Sequence, residues 1–332
     1  MKIKAVEIAK ALGVSKATVS LALNDKPGVS AETKKRILDY IHQMESGIDP
    51  LGAGSTIRII LFSHNYALHP KGTEDIFTPV IRMFAEEAKK DGLTLTLDDT
   101  GNTTADIQRS IKACESDDVK GVILFATFMT KDDFEPFKAI KKPMVIYDND
   151  FEDPDYTYVK IDNGAAVRLL VDHFHEQGYD DIQYWANDYP LFNFTERRAM
   201  FRMMSAWNGK DPEIIMGGAD EEGHYTKFME AYKQGTIRQA LLVENYQASA
   251  AILRAFHDMG IGKLPFAIAA IDELTPYYMY GRKLTYVRIS HDERACLAMD
   301  LLRRQMRTTN PDRFKLLSNC HLVVGDTSLS VK

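Results

Sequence analysis

The stretch VEIAKALGVSKATVSLALND, residues 6–25, decides how the rest of the chain is read. Val6, Ala9 and Leu12 recur at helical spacing, and Gly13 follows as a residue free to take left-handed φ and end the helix. Ser15 stands where an N-cap belongs, ahead of a second helix from Lys16 to Leu23 in which Val19 and Leu23, four apart, face inward. The turn residues Asn24 to Gly28 then lead to a third helix, capped by Ser30, with Ile37, Ile41 and Met44 as its apolar stripe. Two helices joined through a short Gly-containing turn make a helix-turn-helix, whose second helix enters the DNA major groove and points its N-terminal residues at base edges. Here those residues are Lys16, Ala17, Thr18 and Ser20, with Leu21 one turn on. On spacing alone, a three-helix bundle with a solvated polar face is the alternative.

Charge is distributed to suit the first reading. Residues 1–45 carry eight Lys/Arg against five Asp/Glu, a net +3, whereas the rest of the 332-residue chain carries −9, for the overall −6. A basic head on an acidic body confines DNA affinity to the head. Hydrophobic content of 45% and charged content of 27% are those of an ordinary globular protein. The start has no long apolar core of a secretory signal, and the longest apolar run, residues 121–129, is far below the roughly 18 residues of a membrane span. A cytoplasmic protein with no membrane partner is expected. Cys114, Cys296 and Cys320 are widely spaced and match no metal-ligand pattern, so reduced thiols and no metal are expected.

From residue 57 the chain alternates strand-like apolar runs with amphipathic stretches. The runs are IRIILF (57–62), LTLTL (93–97), GVILFA (121–126), PMVIYD (143–148), YVKID (158–162), IQYWA (182–186), ALLVE (240–244), FAIAAID (266–272) and LTYVRIS (284–290). Helical stretches separate them, among them 78–90, 104–115, 165–177, 248–259 and 292–306. This is the pattern of βαβ units and parallel sheets, which take ligands outside the carboxyl ends of their strands. So many strands imply two sheets with a cleft between them.

The head resembles the DNA-binding domain of the LacI/GalR family of bacterial transcription regulators, through V-x-I-A-x-x-x-G-V-S-x-x-T-V-S from Val6 and V-S-x-x-T-x-x-x-I from Val29. The resemblance implies that Lys16, Ala17 and Leu21 read bases, that Thr18, Ser20 and Asn24 lie near phosphates, and that Lys4 and Ser15 complete the contact set. In the family a hinge helix follows and wedges a leucine into the minor groove. Here residues 45–56 read ESGIDPLGAGST. Gly47, Gly52 and Gly54 each disfavour a helix by about 1 kcal/mol relative to Ala, and Ser55 falls near the wedge position. A flexible tether over 46–56 is expected. A hinge helix using Leu51 is the alternative.

The body also resembles the family's two-lobed periplasmic-binding-protein-like core, through V-x-I-D-N (159–163), E-R-x-x-x-F (196–201), N-x-x-A (245–248), A-I-D-E (270–273) and L-T-x-V-R (284–288). It implies an all-α head at 1–45 and an effector-binding and dimerisation core at 57–332, with lobe 1 near 57–158 and 289–317 and lobe 2 near 159–288 and 318–332. It places Asp148, Arg197, Asn245 and Asp272 at effector-contacting positions, and their chemistry suits hydroxyl groups: carboxylates accept from vicinal hydroxyls, and a guanidinium donates to two oxygens at once. Tyr66, Phe77, Phe125, Tyr189, Phe192 and Phe194 are candidate sugar-stacking rings, Phe77 and Phe192 foremost. Tyr280 matches a subunit-interface position, which implies a homodimer on a palindromic operator. Gly325 replaces a family arginine, and Met200 and Tyr246 replace a glycine and an aspartate, adding bulk near the expected cleft.

The implied function is a regulator, a repressor, controlled by a sugar or sugar phosphate, with no cofactor. The competing classes fit less well. The chain has no Gly-rich phosphate loop, no H-E-x-x-H and no G-x-S-x-G, and His173 and His175 lie on different helix faces, which argues against an enzyme. A transported-solute receptor would carry a signal peptide where the helix-turn-helix stands.

Overall fold

The structure, a computed structural model, describes residues 5–24, 26–45, 54–62, 77–101 and 103–329. The three N-terminal helices form one compact unit, and both sheets belong to a second.

In the head, α1 (Ala5–Leu12), α2 (Lys16–Leu23) and α3 (Ala31–Glu45) pack around Ile8, Ala9, Val19, Ala22 and Ile37. Gly13 has φ +65°, as the turn after α1 requires. The inward partner of Val19 is Ala22 rather than Leu23, which is 47% exposed. A methyl group three residues on lets the short helix approach closely, and a leucine four on points away. The side chains of Ile41 and Met44, and residues 46–53 of the expected tether, lie outside the described residues. Gly54 has φ +93°, and the tether stops short of 56, because Thr56 opens the first strand.

The second unit has two six-stranded sheets of matching order. The first runs β2 (Thr94–Asp99), β1 (Thr56–Leu61), β3 (Val119–Phe125), β4 (Met144–Tyr147), β5 (Thr157–Ile161), β11 (Lys315–Ser318). The second runs β7 (Glu213–Gly218), β6 (Ile182–Asn187), β8 (Ala240–Val243), β9 (Ala267–Ile271), β10 (Thr285–Ile289), β12 (Cys320–Val323). The registered pairings are parallel apart from β10 with β12. Their inner strands are buried on both faces, as parallel sheets require. The first sheet carries α4 (Phe77–Lys90), α5 (Thr104–Ala113), the short α6 (Lys131–Phe134) and, late in sequence, α11 (His291–Arg307). The second carries α7 (Asn163–Glu176) and α8 (Phe192–Trp207) on one face, with α9 (Glu221–Gln234) and α10 (Tyr246–Asp258) on the other.

The chain passes between sheets after Ile161, Ile289 and Ser318, so the first expected boundary, 158/159, falls inside β5. Strands β7, β11 and β12 are half exposed and lack the continuous apolar run that marks the others. At Gly325, next to β12, a Cβ would run into the Lys283 carbonyl, so no side chain fits where the family pattern has arginine. Met200 packs into the α7–α8 core against Gly164 rather than adding bulk to the cleft. All three cysteines are free, and burial pushes the Cys114 and Cys320 thiols up to about 11. Among the described residues no helix is long and apolar enough to cross a membrane.

Candidate functional site

Local capping shapes the head. Ser15 Oγ accepts from Thr18 N at 3.0 Å and lies 2.8 Å from Thr18 Oγ1, which fixes the first turn of α2. Asn24 closes the helix by donating its amide to the Ser20 carbonyl at 2.8 Å. Ser30 caps α3 through Thr33 N at 3.1 Å. Val19 and Ala22 are thereby turned into the core, while Lys16, Ala17, Ser20 and Asn24 are exposed, with Thr18 and Leu21 half-buried on the same outer side. Lys4 lies outside the described residues.

The second candidate site lies between the sheets. β4 and β9 hold equivalent places in the two strand orders, and each is followed by an aspartate in the left-handed region, Asp148 at φ +71° and Asp272 at +80°. That conformation strains a residue with a side chain and persists where surrounding contacts over-determine it. Both carboxylates border a cavity of about 90 Å³, together with the Arg197 guanidinium, the amides of Asn187, Asn193, Asn245 and Gln247, and the rings of Phe128, Tyr189, Phe194 and Tyr246.

Arg197, buried on α8, donates from Nε to Asn163 Oδ1 at 2.9 Å and from Nη1 to the Glu244 carbonyl at 2.7 Å. Its Nη2 faces Asp272 Oδ2 at 3.9 Å. Its neighbour Arg198 points elsewhere and grips both carboxylate oxygens of fully buried Glu244 at 2.7 Å. Glu244 also accepts from Tyr184 OH and Asn187 N; burial raises its pKa, and Arg198 only partly offsets this. At Asp272 burial pushes upward too, but His291, Arg197 and Arg294 together hold the carboxyl below its ordinary value. Asn245 is the N-cap of α10, its Oδ1 accepting from Ala248 N at 3.0 Å.

The structure thus brings together Asp148, Arg197, Asn245 and Asp272. It does not bring Phe192 with them: Phe192 lies under the Lys160 ammonium, 4.6 Å away, and Phe194, two residues along α8, faces the cavity instead. Phe125 is core, packed on Phe84 and Tyr147. Tyr66 and the Phe77 side chain lie outside the described residues. Tyr280 is half-buried and stacks on His257 at 4.5 Å. Asn193, Arg294 and His291 were missed by sequence reasoning. Asn193 lies inside an aromatic cluster, Arg294 falls in the expected helix 292–306, and His291 sits just ahead of it. Among the described residues no cluster of His, Cys, Asp and Glu could hold a metal.

Residues 4–45 match the family model for bacterial regulatory proteins of the lacI family, and residues 171–328 match a periplasmic binding protein-like domain. The transcriptional regulator PtxS of Pseudomonas plecoglossicida is 26% identical over 97% of this chain and 95% of its own. In fold, the chain is similar to the transcriptional regulator CelR in complex with cellobiose (TM-score 0.70, 19% identity, 98% of this chain and 100% of that one). It is equally similar to the lac repressor dimer bound to operator and an anti-inducer (TM-score 0.70, 18% identity, 99% and 100%). A helix-turn-helix head followed by a two-sheet core, with regulators rather than enzymes as relatives, leads to one assignment: the chain carries a DNA-binding domain of the lacI family and a periplasmic-binding-protein-like domain, the arrangement of its homologues among LacI-family regulators.

Proposed function

We propose that this regulator is a cytoplasmic repressor that binds a palindromic operator as a homodimer and is controlled by a sugar-like effector held between its two sheets. The observation that carries the effector reading is the meeting of Asp272, Arg197 and Asn245 around one cavity, each at or beside the carboxyl end of a second-sheet strand. Asp272 would accept from ligand hydroxyls, Arg197 Nη2 would donate, and Tyr189 or Phe194 would cover an apolar sugar face. The cellobiose complex of CelR supports a carbohydrate. The operator-bound lac repressor dimer supports twofold DNA reading, and Tyr280 would lie in the dimer interface.

On the head, the exposed run Lys16, Ala17, Ser20 and Asn24, flanked by Thr18 and Leu21, would face DNA. Ala17 and Leu21 offer only apolar contact with a thymine methyl, so Lys16 is left as the strong hydrogen-bond donor to a base edge.

The test is an operator selected from random DNA, followed by thermal unfolding against a sugar panel. Lys16→Ala should weaken operator binding by about 1–3 kcal/mol, most at one base position. A sugar at a hundred times its dissociation constant should stabilise the wild type by about 2.7 kcal/mol. Asp272→Ala should abolish that stabilisation and leave effector-free operator binding in place. Stabilisation that survives Asp272→Ala would refute the site.

A further inference from the structure

The two strand-end aspartates occupy equivalent positions in unlike surroundings. Asp148 Oδ1 accepts from Arg294 Nη2 at 2.5 Å, while its Oδ2 accepts from Thr127 Oγ1 at 2.8 Å and Asn193 Nδ2 at 3.2 Å. The partners of the Asp272 carboxylate among the described residues are farther, His291 Nε2 at 3.5 Å and Arg197 Nη2 at 3.9 Å. One carboxylate is committed, and the other keeps its acceptor capacity.

Arg294 explains the difference. It projects from the first turn of α11, is fully buried, and lies over the Tyr147 ring at 4.6 Å. Its Nε and Nη1 are buried without a hydrogen-bond partner, and Asp148 is the one carboxylate at ion-pair distance from it among the described residues. A guanidinium removed from water and poorly hydrogen-bonded depends on its counter-charge, so surrendering Asp148 to a ligand would strand a buried cation. Asp148 also spans the cleft, because Asn193 belongs to α8 on the second sheet.

The other cations around the cleft are spent in the same way. Arg198 is taken by both oxygens of Glu244, and Lys160 by Glu196 at 2.8 Å and Asp150 at 3.3 Å. Among the described residues Arg197 is the one Lys or Arg lining the cavity, already beside Asp272, with His291 lining it as well. An anionic ligand would have to compete with the Asp272 carboxylate for the Arg197 guanidinium. The cavity of about 90 Å³ is small beside the ~300–1,000 Å³ of pockets for larger ligands, which favours a compact one.

We propose that Arg294 withdraws Asp148 from effector binding and makes it a tie between the sheets, leaving a cleft that recognises a compact, uncharged polyhydroxyl ligand through Asp272 and Arg197. This rests on the reading of the cleft as the effector site. It rejects the sugar phosphate that the family resemblance left open.

The experiment uses the full chain and isothermal titration calorimetry. The probes are uncharged pentoses, hexoses and their alditols, each beside the aldonate and phosphate monoester of the same carbon skeleton. An uncharged probe should bind, with its anionic counterparts at least a hundredfold weaker; this arm needs no variant. The double variant Asp148→Asn with Arg294→Met removes both charges together, so no buried charge is stranded, and operator binding reports its folding. Its affinity for the uncharged probe should stay within threefold of wild type, while Asp272→Asn should lose at least a hundredfold. Preference of the wild type for an anionic probe would overturn the inference and leave the effector reading standing. A hundredfold loss in the double variant would do the same. Binding that survives Asp272→Asn, or no binding of any probe to the wild type, would overturn the effector reading and the inference with it.

Discussion

The head and the cleft are both polar, but their hydrogen bonds close over very different distances along the chain. In the head Ser15 meets Thr18, Asn24 meets Ser20 and Ser30 meets Thr33, all within one helical turn. In the cleft Arg294 meets Asp148 across 146 residues, Arg197 meets Glu244 across 47, and Asn187 meets Glu244 across 57. The head's groups sit at the surface, where water replaces a lost partner cheaply. Those of the cleft are buried, where an orphaned polar group bears its full desolvation cost. The difference teaches that equal hydrogen-bond lengths carry unequal energies, set by burial and by how many elements each bond ties together.

Three measurements can break or sharpen that contrast. The largest effect is expected at Glu244, which neutralises Arg198 and accepts from Tyr184 and Asn187. Glu244→Ala leaves a largely buried arginine unpaired and should cost about 3–5 kcal/mol in urea denaturation of the core. A loss below about 1 kcal/mol, the value of an exposed pair, would show the network to be no more than a surface contact.

Next is acid. His224 is fully buried beside Trp185, and burial depresses its pKa to about 4. The folded state therefore binds this proton less readily than the unfolded chain does. The associated stability is present above about pH 6.5 and is lost as pH falls towards 4, by about 3 kcal/mol at the lower limit. The Asp272 carboxyl, also held low, adds to the loss in the same direction at still lower pH. Urea midpoints of wild type and His224→Gln, compared at pH 7 and pH 5, should converge in acid. A parallel fall would assign the acid sensitivity to other groups.

The smallest effect belongs to the head. Ser15→Ala removes one N-cap, with an expected cost of about 1 kcal/mol, confined to amide exchange in α2 and leaving the core transition unmoved. A shift of the core midpoint would show that the cap is not local.

Those same distances explain what could be read in advance. Helix caps, a glycine at a helix end and period-two or period-3.6 apolar patterns are short-range, so the three head helices, the βαβ alternation and the family resemblance were legible. Leu23 was misread because spacing gives a helix face but not how closely a neighbour approaches, and the structure packs the smaller Ala22 there. Edge strands β7, β11 and β12 were invisible because half-exposed strands need no apolar run. Asp148, Arg197, Asn245 and Asp272 were reached through the family resemblance, and they do line one cavity. Which of two adjacent arginines faces that cavity could be settled only by the path of α8.

By itself, then, the sequence determined the elements and the residue types at their ends, since backbone propensity, capping and apolar periodicity act over a few residues. Only the tertiary structure decided which charges meet. Arg294 reads as an ordinary helix arginine until α11 carries it, buried, against the end of β4. There the low dielectric makes its pairing with Asp148 obligatory, and two aspartates alike in sequence context become unlike in chemistry.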